Sequence, residues 1–117
     1  VGHTAKREFT VSPSDTAIAL GSGSVNVLAT PIAIAWCESV TTIAISEAVC
    51  GDCTTVGYKI DFLHLSPTSV GESVYANALV ESVSGDRIIF SIDLRNAEMQ
   101  VGTGKITRVR VARNSWI

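Results

Sequence analysis

The sequence predicts an α+β fold in which an antiparallel sheet wraps one long central helix. Three observations carry this. A single stretch, Val27 to Ala48, is apolar around nearly the whole helical circumference. From Thr54 onward the hydrophobic period switches from helical to two. The 117 residues, 46% hydrophobic and 17% charged, suit one ordered domain spanning 1–117 with a modest core.

Residues 1–6 read as a loose terminus, and Arg7 to Val11 as a first short strand. Ser12-Pro13-Ser14-Asp15 is turn chemistry, and a short helical turn is expected over Thr16–Leu20. Gly21-Ser22-Gly23-Ser24 is a flexible crossing, too short to divide two domains. In the central helix, Thr30 then Pro31 reads as a hydroxyl N-cap with proline at the first helical position. Ile32, Ile34, Ala35, Trp36, Val40, Ile43 and Ala44 then surround the axis, with Glu38 as a lone acid among them. A buried carboxylate costs several kcal/mol unless it is paired or protonated, so Glu38 needs a reason to be there.

After Thr54, Val56, Tyr58, Ile60, Phe62 and His64 alternate with Gly57, Lys59, Asp61, Leu63 and Leu65. The first set is expected to face the helix. Val70 to Val83 forms the next strand, with Val74, Ala76, Ala78 and Val80 on one side. Gly85-Asp86 signals a two-residue hairpin into a strand bearing Ile88, Phe90, Ile92 and Leu94. Glu98 to Val111 completes the set, where Gly102 and Gly104 predict a bulge or the close approach of another backbone. One helix must cover the apolar face of four such strands. This is the hotdog architecture, and its exposed sheet edges predict at least a homodimer.

Net charge is −2 at pH 7, which argues against nucleic acid or an anionic membrane as the partner. No run approaches a membrane span, and no signal peptide is expected in this sequence. Three cysteines suit a reducing cytosol better than a disulfide scaffold. Cys50-x-x-Cys53 is expected to be a pair of free loop thiols, since no second pair or nearby histidine completes a metal site. No metal or cofactor is expected. A serine hydrolase elbow is absent, and Gly102-x-Gly104-Lys105 lacks the earlier glycine of a phosphate loop. His64 alone reads equally as a core histidine or as a functional group. Lys105, Arg108, Arg110 and Arg113 form either a solvated basic strand face or a cradle for coenzyme A phosphates.

Val27-Leu28-Ala29-Thr30, then Glu38, then Gly57 and His64 within TVGYKIDFLHLSPTSVGESV, together with Gly102-Thr103-Gly104 and Arg108, resemble the fluoroacetyl-CoA thioesterase family of hotdog hydrolases over about residues 7–113. The resemblance implies hydrolysis of an acyl-CoA thioester by Thr30, Glu38 and His64. It further implies that Gly57 faces the acyl group and that Arg108 lies near the pocket. A non-catalytic acyl-CoA-binding hotdog is the alternative reading, and a hydratase a weaker third. Thioester hydrolysis needs a nucleophile, a proton acceptor and oxyanion donors. Glu38 can attack or act as base, and both roles stay open. The region before the helix, Leu20-Gly21-Ser22-Gly23-Ser24, is shorter than the lid of the family's fluoroacetyl-specific member and cannot form its aromatic gate, so a more open acyl pocket is expected. Helical phase sets one further condition. Positions eight apart stand ~12 Å apart in rise and are turned by roughly 80°. Thr30 and Glu38 therefore converge only along an extended substrate or with help from a second subunit.

Overall fold

A computed structural model describes residues 1–46 and 53–112. Strand β1 (Thr4–Thr10) is followed by a 3-10 turn (Pro13–Asp15), helix α1 (Ala17–Leu20) and the long helix α2 (Thr30–Ala44). Strands β2 (Cys53–His64), β3 (Ser73–Ser84), β4 (Arg87–Arg95) and β5 (Gln100–Ala112) complete the order. The sheet runs β1-β3-β4-β5-β2, and every neighbouring pair is antiparallel. Short turns make β3, β4 and β5 a meander. β2 crosses to the far edge, beyond β5.

The core forms where two periodicities meet. Ala33, Cys37, Val40, Thr41 and Ala44 recur at helical spacing and form the buried stripe of α2. Small residues at Ala33 and Ala44 let the helix lie close to the sheet. It rests on Val74, Ala76, Ala78 and Val80 of β3 and on Phe90, Ile92 and Leu94 of β4, all buried as their alternation predicts. Phe90 is the largest fully buried side chain; burying one such ring contributes about 1.5–3 kcal/mol. Trp36 closes the stripe by stacking on Phe9, with ring centroids 4.7 Å apart. The opposite side of α2 is open. Ala35, Thr42 and Ile43 are exposed, so the helix is not wrapped all round as its sequence predicts.

Three further expectations are corrected. The helix does not start at Val27. The Leu28 N–H donates to the Thr68 carbonyl at 2.8 Å and the Ala29 N–H to the Asp15 carbonyl at 2.9 Å, so this segment is held by loops. Ala29, not Thr30, is the N-cap. The predicted helix end at Ala48 lies outside the described residues. Second, the register of β2 against β5 shifts between Gly57 and Lys59, leaving Tyr58 as the extra residue of a bulge. A one-residue slip flips the faces. Thr55 and Gly57 therefore share the helix side with Ile60, Phe62 and His64, while Tyr58 is 59% exposed and its ring lies under the Arg87 guanidinium. Third, Cys53 is disulfide-bonded rather than a free thiol; Cys50 lies outside the described residues.

Gly102 and Gly104 follow the close-approach reading. A Cβ at Gly104 would collide with the Asp61 carbonyl, and one at Gly102 with the Phe62 ring. Gly85, at φ +61°, turns β3 into β4 as the hairpin signal predicts.

Candidate active site

Two half-sites lie along the seam of α2 and β2, one at the first residue of α2 and the last of β2, the other partway along both elements. The first is built on Thr30 and His64. Because Ala29 caps the helix, the Thr30 hydroxyl is not consumed at the N-terminus. It bonds the His64 ring instead, with Oγ1 2.7 Å from Nδ1. His64 ends β2 in register with Gly102. Its Nε2 is buried and has no hydrogen-bond partner among the described residues. A buried, unpaired ring nitrogen costs free energy unless something arrives to bond it. Burial lowers the imidazole pKa below 6.5, and the Ser66 backbone offsets this in part, so the neutral base is favoured at pH 7. A cavity of about 400 Å³ opens here, lined by Ser22, Gly23, Ser24, Val25, Thr30 and His64 among others. The crossing segment thus does border the site, and it contributes no aromatic ring.

The second half-site is built on Glu38, Gly57 and Arg108. Glu38 stands two helical turns beyond Thr30, and its carboxylate lies over Gly57. A Cβ at Gly57 would come within 2.7 Å of Oε2, so glycine is what admits the carboxylate to the strand backbone. Arg108, only 8% exposed, approaches Oε2 with Nη1 at 3.6 Å. Its Nε donates to Thr55 Oγ1 at 2.8 Å and its Nη2 to the Thr55 carbonyl at 3.0 Å. Burial lowers the Arg108 pKa, and the facing Glu38 raises it again. The Glu38 side chain itself is 35% exposed. The expected buried carboxylate is instead a half-open one, paired with a buried cation.

Of the five residues singled out by sequence, the fold brings Thr30 to His64, and Glu38 to Gly57 and Arg108. It does not bring the two groups together in one chain. Gly57 and His64 are seven positions apart on β2, roughly 20 Å along an extended strand. Thr55 was not singled out. Its signal, a hydroxyl two positions before Gly57 on the same strand face, is hidden by the bulge. The basic last strand divides as well. Lys105 pairs with Glu81 at 3.1 Å and Arg110 with Asp86 at 2.9 Å, so only Arg108 joins the candidate site; Arg113 lies outside the described residues. Cys37 offers no alternative nucleophile. Burial, aided by the charge of Asp93, pushes its thiol up to about 12.

A five-stranded antiparallel sheet on one long helix, with polar groups grafted at the helix–edge-strand seam, defines a hotdog-fold protein. The chain belongs to the FlK family, described as fluoroacetyl-CoA-specific thioesterase, whose model matches residues 11–114. Membership makes it a hydrolase of acyl-CoA thioesters. Solved structures agree in fold. The fluoroacetyl-CoA thioesterase FlK is 21% identical at a TM-score of 0.93, covering 99% of this chain and 90% of that one. A thioesterase superfamily member from Thermus thermophilus is 20% identical at a TM-score of 0.91, covering 98% and 85%. A thioesterase from Haemophilus influenzae is 21% identical at 0.78, covering 94% and 73%. No curated protein sequence matches this chain.

Proposed function

We propose that this thioesterase hydrolyses small acyl-CoA thioesters at a site shared between two copies of the chain. Glu38 over Gly57 comes from one copy, and Thr30 with His64 comes from the other. The observation that carries this reading is the buried, unpartnered Nε2 of His64 beside the Thr30 hydroxyl. Among the described residues this ring nitrogen has no partner of its own, which supports a role on a group from outside the chain.

The edge strand supplies a route to pairing. β2 is the last strand of the sheet, and Ile60, Leu63 and Leu65 are exposed along or just beyond it. An uncovered edge of this length with apolar side chains is a template for another strand. Antiparallel pairing of two β2 edges about a two-fold near Ile60 and Asp61 brings Gly57 of one copy towards His64 of the other, and both face the helix side. The exposed Ala35, Thr42 and Ile43 on α2 supply further surface to bury. A homodimer with two equivalent sites follows.

In such a site the thioester carbonyl lies between the two half-sites. The Glu38 carboxylate either attacks the carbonyl carbon itself, giving a mixed anhydride that water then opens to release the acid, or deprotonates the water that attacks. The C–S bond breaks, and coenzyme A leaves as a thiolate that takes a proton. Neutral His64, held by Thr30, transfers protons between water and the leaving group. Free N–H groups in the first turn of α2 stabilise the developing oxyanion. Gly57 lets the substrate approach the strand backbone closely.

Variants of the structural relative FlK have been solved with fluoroacetate and CoA, and with acetyl-CoA. The absence of an aromatic ring among Ser22, Gly23 and Ser24 supports a broader acyl range for this chain. Turnover of acetyl-CoA within about 100-fold of fluoroacetyl-CoA, the scale that apolar pocket contacts alone can discriminate, is expected. No described helix is long and apolar enough to cross a membrane, and a coenzyme A thioester substrate points to the cytoplasm.

The test is release of free thiol from a panel of short acyl-CoAs by wild type, Glu38→Gln and His64→Ala, with molar mass measured by light scattering. Hydrolysis by a dimer, lost in both variants, is the expected result. Coenzyme A binding without hydrolysis by wild type would overturn the catalytic reading, and a monomer that hydrolyses would overturn the shared site.

A further inference from the structure

We infer that Thr55 is a positioning residue for the Glu38 half-site, acting through Arg108. This rests on the reading of Glu38 given above and adds how its carboxylate is kept reactive. A guanidinium presents its donors in one rigid plane. Thr55 occupies one edge of that plane twice, with Oγ1 accepting from Nε at 2.8 Å and the carbonyl accepting from Nη2 at 3.0 Å. What remains for Glu38 is Nη1, at 3.6 Å from Oε2. That distance is an ion pair and is longer than a hydrogen bond. Arg108 therefore lends Glu38 its charge without binding its lone pairs.

The contrast is with the fork-to-fork pair that arginine and carboxylate form when both are free to turn, with two short parallel N–H···O bonds. A carboxylate locked that way must break two charge-assisted bonds before it can attack a carbonyl or accept a proton. Thr55 prevents this by holding the fork turned away. The placement follows from strand register. Thr55 lies opposite Arg110 and Gly57 opposite Arg108, so the hydroxyl, the bare backbone and the guanidinium share one face just before the bulge. The bulge then turns Tyr58 away, leaving no side chain between Thr55 and the carboxylate.

Removing the hydroxyl alone is the direct test. Thr55→Val matches threonine in shape and suits a strand. It leaves Nε without its partner and frees the guanidinium to turn onto Glu38. We expect kcat to fall about tenfold, the scale of a misplaced reacting group, with KM little changed. Thr55→Ser, which keeps the hydroxyl, should recover most of that loss. In a Glu38→Gln background the same Thr55→Val change should cost almost nothing further, because its effect runs through that carboxylate. If Thr55→Val does not fold, Arg108→Lys is the second variant. A point charge cannot hold both Thr55 acceptors and face Glu38, so the same loss in kcat is expected.

An unchanged kcat in Thr55→Val, or in Arg108→Lys, overturns the inference. So does an equal loss with and without the Glu38 carboxylate, which would mark a purely structural threonine. These outcomes leave the catalytic reading standing, since wild type is still active in each. A wild-type protein that hydrolyses no thioester removes the reading of Glu38, and this inference falls with it.

Discussion

The two ends of the α2–β2 seam solve the same placement problem with opposite chemistry. At the N-terminal end of the helix, neutral groups meet: a hydroxyl and an imidazole joined at 2.7 Å, beside a cavity. Two turns on, charged groups meet: a carboxylate over a glycine, facing a buried arginine at 3.6 Å. The first end is short-bonded and leaves one nitrogen unsatisfied. The second is loosely paired and leaves its carboxylate half open. Neither is a complete hydrolytic site. On the proposed reading each end lacks what the other holds, a proton carrier in one case and a nucleophile or base in the other. An antiparallel partner is the simplest way to join them.

Substitutions at each end sharpen that contrast, and the largest effect is expected at the charged one. Glu38→Gln keeps shape and removes the charge, and kcat/KM should fall about 1,000-fold, within the range for a lost acid–base or nucleophilic group. Activity within tenfold of wild type would assign the chemistry to the other end. Gly57→Ala comes next. Its Cβ would stand 2.7 Å from Oε2, but that atom is the tip of a flexible side chain. The carboxylate should yield before the sheet does, lowering kcat by about 100-fold with little change in melting temperature. A melting temperature that falls while kcat holds would make Gly57 a packing residue.

At the neutral end, Thr30→Val removes the bond to Nδ1 without changing side-chain shape. Roughly a tenfold loss in kcat is expected from the unanchored ring, while equilibrium unfolding shifts by only ~1 kcal/mol. The smallest effect is one of pH. Burial lowers the His64 pKa below 6.5, so the unfolded chain binds the proton more readily than the folded one. Stability from this residue is complete above pH 6.5 and declines as pH falls towards the folded pKa. Denaturant melts between pH 5 and 7 should show that slope, and His64→Gln should flatten it. The acid limb of kcat/KM should lie below pH 6.5 for the same reason.

Much of this was legible in the chain. Val74, Ala76, Ala78 and Val80, and Phe90, Ile92 and Leu94, alternate without interruption over their buried span, and each is buried as its parity predicts. The reading failed where one signal had two physical outcomes. Thr30-Pro31 has the composition of a cap, yet loop hydrogen bonds to Leu28 and Ala29 move the cap back one residue and release the hydroxyl to His64. Val56 to Lys59 keeps an unbroken sequence alternation, yet the bulge moves Gly57 to the helix side and Tyr58 away from it. A bulge is a property of the strand pair, and a single strand's composition does not encode it. Thr55 was hidden for the same reason, because its partner Arg108 sits 53 residues away.

Subunit complementation tests the shared site most directly. Glu38→Gln and His64→Ala variants are purified separately, mixed at equal concentration, unfolded and refolded together. In a mixed dimer, one site would combine both substitutions and the other would hold native Glu38 and native His64. Random pairing then predicts recovery of about a quarter of wild-type activity from two nearly inactive proteins. No recovery, with mixed dimers demonstrated by mass, would mean that Glu38 and His64 serve the same site from within one chain, and would contradict the account.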